Sequence, residues 1–287
     1  MMNKHSRDKE IRDKGADMLW YFSPLIHLPL SLYPFIILKR MTNLHICQDS
    51  QDLYYQAATL FTRLANEAIA SQGRFTVALS GGSTPKGVYS LLANRNPRMQ
   101  PIAWPYVHVF WGDERCVPPD HADSNYRVAQ EALLSHVPIP PENIHRIQAE
   151  LSPLEAAYNY ERELREAFSL TLDATPCFDL ALLGMGPDGH TASLFPGTSG
   201  LQEKNRLVVA HYVEKLASWR VTLTAKVFNA AAQVAFLVAG ADKAVTLKEV
   251  LEGPFQPHRL PSQLIRPTPE HLRWFVDEAA ASALTVK

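Results

Sequence analysis

An α/β fold, with a mainly parallel sheet covered by helices on both faces, is predicted by three observations. Short apolar runs of strand length alternate with longer segments whose apolar residues recur at helical spacing. Several of these runs end in loops dense in Gly, Ser, Asp and Pro, where an α/β protein carries its chemistry. After residue 41 there is no internal repeat and no low-complexity linker. One α/β domain over 41–287, with room for a small extra lobe, is the simplest account.

The elements follow in order. Leu44–Cys47 is a short first strand. Ser50 is expected to cap a helix over 50–71, with Leu53, Ala57, Leu60, Leu64 and Ala68 on one face and Gly73 at its end. Phe75–Leu79 is an apolar strand, and 80–84 a Gly-rich turn. Pro85 sits in the first turn of the next helix, which runs through Val88, Leu91 and Leu92. Val107–Trp111 is a strand ending in Gly112-Asp113-Glu114-Arg115. A helix over 124–134 follows, then a hard loop marked by Pro138, Pro140 and Pro141, and a short strand over 144–147. Ser152-Pro153 with Glu155 opens a helix that ends near Phe168. Strands are expected over 178–183, 207–211 and 220–223, a helix over 224–231, and a strand at Val234–Val238. A helix over 241–251 and a strand over 272–276 lead into an Ala-rich helical tail.

The 287-residue chain has 46% hydrophobic and 20% charged residues, the balance of an ordinary globular protein. A formal net charge of −1 argues against a nucleic-acid binder, whose footprint is a basic face. Cys47, Cys116 and Cys177 are odd in number and lack C-x-x-C spacing, which suits a reducing compartment and supplies no metal site. The N-terminus does not match the rest. Residues 1–18 are mostly polar, and 19–38 form an apolar run of membrane-anchor length. Pro24, Pro29 and Pro34 break any helix there, and no clear cleavage site is visible. Residues 1–40 are therefore expected to be an extension outside the fold, from an upstream start codon, with no stable membrane association.

The densest signal is 184–198, GMGPDGHTASLFPGT, directly after an apolar run. Gly184, Gly186 and Gly189 fit the dinucleotide pattern G-x-G-x-x-G, but the context does not. Pro187 interrupts the turn, and Pro196 and Gly197 leave little room for a long helix. The next strand-like run ends without the carboxylate that would hold a ribose. What remains is His190, either a buried His bonded to backbone or a base suited to activating water, with Asp188 placed to orient it. No G-x-S-x-G nucleophile elbow is present.

Other strand ends carry complementary groups. Gly81, Gly82, Ser83 and Thr84 precede a helix, where backbone N–H groups and the helix dipole bind anions; the bland alternative is a plain capped turn. Arg115 is placed either to clamp a phosphate or carboxylate, or to pair with Asp113 or Glu114. Asn125 and Arg127 lie just downstream. Arg220 and Lys243 are further cations beside strand ends, each of which read alone is a solvated surface residue.

In this order, residues 80–85 (SGGSTP), 111–117 (WGDERCV), 123–126 (DSNY), 184–196 (GMGPDGHTASLFP), 220–224 (RVTLT) and 240–244 (GADKA) resemble the 6-phosphogluconolactonase family. The likeness covers about residues 41–287, and its most specific part is GMGPDGHTASLFP. The resemblance implies a Rossmann-like fold of the sugar-phosphate isomerase type. It also implies hydrolysis of 6-phosphogluconolactone in the oxidative pentose phosphate pathway, by a soluble cytoplasmic enzyme without metal or organic cofactor. A monomer or weak homodimer is expected. The carried-over roles are a general base at His190, assisted by Asp188, and substrate binding at Gly81, Gly82, Ser83, Arg115, Arg220 and Lys243. Thr84 and Asn125 are expected at the same site. A glucosamine-6-phosphate deaminase would carry an acid in the run after the His, which here reads Thr191-Ala192-Ser193-Leu194-Phe195-Pro196. A sugar-phosphate sensor would carry a basic helix-turn-helix, and none is convincing.

Overall fold

The computed structural model describes residues 43–94 and 98–285; the expected extension 1–40 lies outside the described residues. In chain order the first half comprises β1 (Leu44–Cys47), α1 (Ser50–Gln72), β2 (Phe75–Leu79), α2 (Ser83–Ala93), β3 (Val107–Trp111), β4 (Asp113–Arg115), α3 (Asn125–Ala132) and β5 (Ile144–His145). The second half comprises α4 (Pro153–Ala167), β6 (Leu180–Gly184), β7 (Val208–Val213), β8 (Ser218–Leu223), α5 (Ala225–Ala230), β9 (Val234–Val238), α6 (Ala244–Glu252), β10 (Leu272–Asp277) and α7 (Glu278–Ala281).

Seven strands form a parallel sheet in the order β1-β10-β9-β6-β2-β3-β5. β2 and β9 are buried at every position, because helices cover both faces. That is why FTVAL and VAFLV are apolar without alternation apart from Thr76, whose hydroxyl donates to Asp179 Oδ2. Phe236 of β9 stacks on Trp274 of β10 at 3.9 Å between ring centroids, locking two neighbouring strands.

From β2 the chain winds outward through β3 to β5. It then returns to place β6 on the other side of β2 and winds the opposite way through β9 to β10. The reversal between β2 and β6 is a topological switch point, and the loops leaving those two strands diverge to open a crevice. They are the SGGSTP turn and the GMGPDGHTASLFP loop.

Four sequence expectations are corrected. The cap of α1 is Asp49, whose Oδ1 accepts from the Asp52 N–H, so Ser50 is already helical. The strand expected over 144–147 pairs with β3 at only two residues. The helix expected from Ala241 starts as a 3-10 turn and becomes α-helical at Ala244. The Asp113-Glu114-Arg115 run, expected as the end of the strand from Val107, is a separate strand, β4, in a second, three-stranded antiparallel sheet of order β4-β8-β7. Gly112 is the corner between the sheets. Its N–H donates to the Leu79 carbonyl of the large sheet, and its carbonyl accepts from Leu223 of the small one, each at 2.8 Å.

Candidate active site

Two buried tyrosines fix the strand ends that carry the site. The Tyr89 hydroxyl accepts from the Ser80 N–H and donates to the Ser80 carbonyl, at 3.0 and 2.7 Å. The Tyr160 hydroxyl does the same to Trp111, at 2.8 and 2.9 Å. Each phenol thus satisfies two backbone groups at the residue where a strand stops. Burial pushes both phenols up from their ordinary values. Tyr160→Phe leaves the Trp111 N–H and carbonyl unpaired in the interior, and is expected to cost about 1–3 kcal/mol. Urea denaturation of the variant measures this loss.

The SGGSTP turn leads into α2 with Gly82 at the cap position. There φ is +101°, a conformation that favours glycine, and no side chain caps the helix. Its first N–H groups are therefore open toward a cleft of about 220 Å³, lined by Gly81, Gly82, Ser83 and Thr84 on this side. Gly81 is also sterically required, since a Cβ there would lie 1.7 Å from Asn125 Oδ1.

Across the cleft the loop after β6 is tied down over its whole length. The Gly186 N–H donates to the His190 carbonyl at 2.9 Å, and the Gly189 N–H to the Gly186 carbonyl at 3.0 Å. The Thr191 hydroxyl donates to the Gly184 carbonyl at 2.8 Å, and the Thr246 hydroxyl to the Pro187 carbonyl at 2.7 Å. No helix opens at Gly189, as the sequence context requires. His190 stacks on Phe195 at 4.0 Å, and its Nδ1 lies 2.5 Å from Asp188 Oδ1. A ring nitrogen facing a carboxylate carries the proton, so Nε2 is the basic nitrogen. Burial works against ionisation of Asp188, yet hydrogen bonds from His190 and Lys215 hold its carboxyl well below the usual carboxylate range. His190 lines the cleft; Asp188 stands behind it and faces a separate groove with Phe195 and Lys215.

The close approach of the ring to its own loop requires Gly186. A Cβ at 186 would lie 2.1 Å from His190 Nδ1 and 2.9 Å from Asp188 Oδ1. Gly186→Ala is expected to displace the ring and lower turnover by about tenfold while the protein stays folded. Steady-state kinetics alongside a thermal melt would show whether the loss is local.

Arg115 and Lys243 line the cleft. Arg115 makes no ion pair with Asp113 or Glu114; its Nη1 donates to the Asp123 carbonyl at 2.5 Å. Lys243 pairs with its neighbour Asp242. Arg220 is placed differently. It sits opposite Arg115 in the β4–β8 register, but its guanidinium donates to Ser218 Oγ and the Trp219 carbonyl and does not line the cleft. Burial first, and then the nearby Arg115 charge, push Arg220 down from its ordinary value. Arg127, outside the cleft, pairs with Glu131. Asn125 lines the cleft with its Nδ2 donating to Asp113, which leaves its buried Oδ1 without a partner.

Sequence reading missed the groups that join these motifs. Asp113 Oδ2 accepts from Ser193 Oγ at 2.6 Å, tying the WGDER strand to the His loop. Glu114 is almost fully buried, and its carboxylate accepts from the N–H groups of Arg115, Asn125 and Tyr126 and from Ser124 Oγ. Burial pushes its carboxyl up, while those backbone donors pull it down. Adjacent acid side chains in a strand face opposite sides, and only the antiparallel pairing of β4 shows which side is which. Lys215, whose Nζ lies 2.9 Å from Asp188 Oδ2, carried no motif at all.

A doubly wound α/β protein with an anion-compatible crevice at its switch point is the class these features define. Residues 48–274 match the family described as glucosamine-6-phosphate isomerases/6-phosphogluconolactonase, and the chain belongs to that family. A 6-phosphogluconolactonase of Nostoc is 42% identical, covering 84% of this chain and 98% of its own. A 6-phosphogluconolactonase of Homo sapiens is likewise 42% identical, over 84% of this chain and 93% of its own. Among solved structures, 6-phosphogluconolactonase from Trypanosoma cruzi superposes with a TM-score of 0.74 at 28% identity, covering 85% of this chain and 97% of that one. Among the described residues, no helix is long and apolar enough to cross a membrane.

Proposed function

We propose that this protein hydrolyses 6-phospho-D-glucono-1,5-lactone to 6-phospho-D-gluconate, with His190 as the general base. The observation that carries the reading is His190, backed by Asp188, facing the uncapped start of α2 across one cleft. The phosphate docks on the N–H groups and hydroxyls of the 81–84 turn, and Arg115 and Lys243 supply positive charge beside it. Asn125 lines the same cleft and, through Nδ2, holds Asp113 beside it. Arg220 contributes through the field it shares with Arg115, or by turning from its own strand once an anion arrives.

His190 Nε2 takes a proton from water as the oxygen attacks C1. Asp188 keeps the Nδ1 proton in place and stabilises the imidazolium that forms. The oxyanion at C1 collapses, the bond from C1 to the ring oxygen breaks, and His190 returns its proton to that oxygen. Water is consumed, and the lactone becomes a hydroxy acid whose carboxyl group ionises in solution. We place this step in the oxidative pentose phosphate pathway of a cytoplasm, with which three unpaired cysteines are in keeping. The absence of an acid among residues 191–196 disfavours a deaminase, whose isomerisation needs a second carboxylate.

The test is hydrolysis of freshly made phosphorylated lactone, coupled to 6-phosphogluconate dehydrogenase, with the spontaneous rate subtracted. Acceleration for the phosphorylated lactone and not for the unphosphorylated one is the expected result. No acceleration by folded protein would overturn the reading.

A further inference from the structure

We propose that Lys215 is a positioning residue: from the tip of the β7–β8 hairpin it holds Asp188 so that the His190 imidazole stays aimed into the cleft. The proposal rests on His190 acting as the base. Its footing is the division of one carboxylate between two partners. Asp188 Oδ1 meets His190 Nδ1 at 2.5 Å, and Oδ2 meets Lys215 Nζ at 2.9 Å. A carboxylate held at one oxygen can rotate about its Cβ–Cγ bond; held at both, it cannot.

The hairpin is built to deliver that amine. β7 and β8 pair over six residues, from Val208↔Leu223 to Val213↔Ser218. The tip is a single 3-10 turn, Glu214–Leu216, closed by Ala217 in the left-handed region with φ of +46°. Tyr212 and Trp219 pack edge to face just below it, at 5.8 Å. A register-locked ribbon ending in a strained residue fixes where residue 215 can reach.

Energetics decide what the contact is for. The Lys215 side chain is 66% exposed and that of Asp188 22%. An ion pair with its cation mostly in water contributes little to folding. Its consequence is orientation of the carboxylate and the field at the imidazole. The charged groups facing His190 are Asp188 from its own loop, Lys215 from the hairpin, and Arg115, Asp113 and Lys243 across the cleft. Glu214 lies beside Lys215 in the groove behind. Removing Lys215 leaves the full Asp188 charge on the ring, which favours the protonated imidazole and leaves less free base at neutral pH.

The experiment compares the pH profile of kcat and kcat/KM for the full chain, Lys215→Met and Lys215→Arg. For Lys215→Met, the acid limb is expected to move up by about half a pH unit. Its kcat at neutral pH is expected to fall about three- to tenfold, with KM within about twofold of wild type. Lys215→Arg, which keeps charge and donors, is expected to restore both. An unmoved limb in Lys215→Met, a change in KM alone, or failure of arginine to rescue would each overturn the proposal. Failure of the lactonase reading would look different, because the wild type itself would be inactive. In that case NMR titration of the His190 ring decides: a higher midpoint in Lys215→Met supports the proposal, and an identical one rejects it.

Discussion

Turnover of the phosphorylated lactone by His190→Ala is expected to fall by about 10²- to 10⁴-fold, the range a positioned general base contributes. The effect should appear in kcat, with little change in the affinity for 6-phosphogluconate. The reason is geometric: the groups assigned to the phosphate lie on the 81–84 turn and on Arg115 and Lys243, and none is hydrogen-bonded to His190. The Gly186 N–H and Ser262 Oγ bond the carbonyl of residue 190, not its ring, so the loop keeps its path in the variant. Single-turnover kinetics with calorimetry of product binding would separate the two quantities. Near-wild-type turnover would remove His190 from the mechanism.

Asp188→Asn is expected to lower kcat by about 10²- to 10³-fold, although it changes only one atom of the side chain. Lys215 Nζ donates to the outer oxygen of residue 188, so an amide there turns its carbonyl toward the lysine. Its NH₂ group then faces Nδ1 of His190. A donor at that position makes Nδ1 the acceptor and places the ring proton on Nε2, the nitrogen that must accept a proton from water. The variant should fold normally and bind product, yet lack the base. If kcat changed less than about tenfold, the carboxylate would not be what fixes the tautomer. Because the Asp188 carboxyl is held so low, it stays ionised across the usable pH range.

Most of the large sheet was legible in the residues, because strands covered on both faces are short apolar runs with few rivals. Phe75–Leu79, Val107–Trp111 and Val234–Val238 fall on those runs without adjustment. The second sheet was less so. β4 is three residues of Asp, Glu and Arg, a composition that reads as a loop, and its pairing with β8 rests on contacts more than 100 residues apart in sequence. Motif residues came through one by one, since Gly, His and Arg at strand ends are conspicuous. Their mutual geometry did not. Arg220 and Lys243 looked alike in the sequence, but β8 turns one guanidinium back on its own strand, while the turn after β9 leaves the other cation at the cleft. The two tyrosine clamps and Lys215 had no local signal, because their partners are backbone groups or a side chain in distant segments.

The position of β10 between β9 and β1 has a consequence for synthesis on the ribosome. Among the described residues β1 is an edge strand whose sheet partner is β10, and Asn43 just before it bonds Trp274 and Pro269. Of the described strands, the first to leave the exit tunnel must therefore wait for the last. Until then its apolar face and its unpaired N–H and C=O groups stand open. Vectorial folding can proceed outward from the β2–β6 centre, but the nascent chain closes its β1 edge only after Asp277 has emerged. A ribosome stalled before Leu272 would hold a chain whose β1 still lacks its sheet partner.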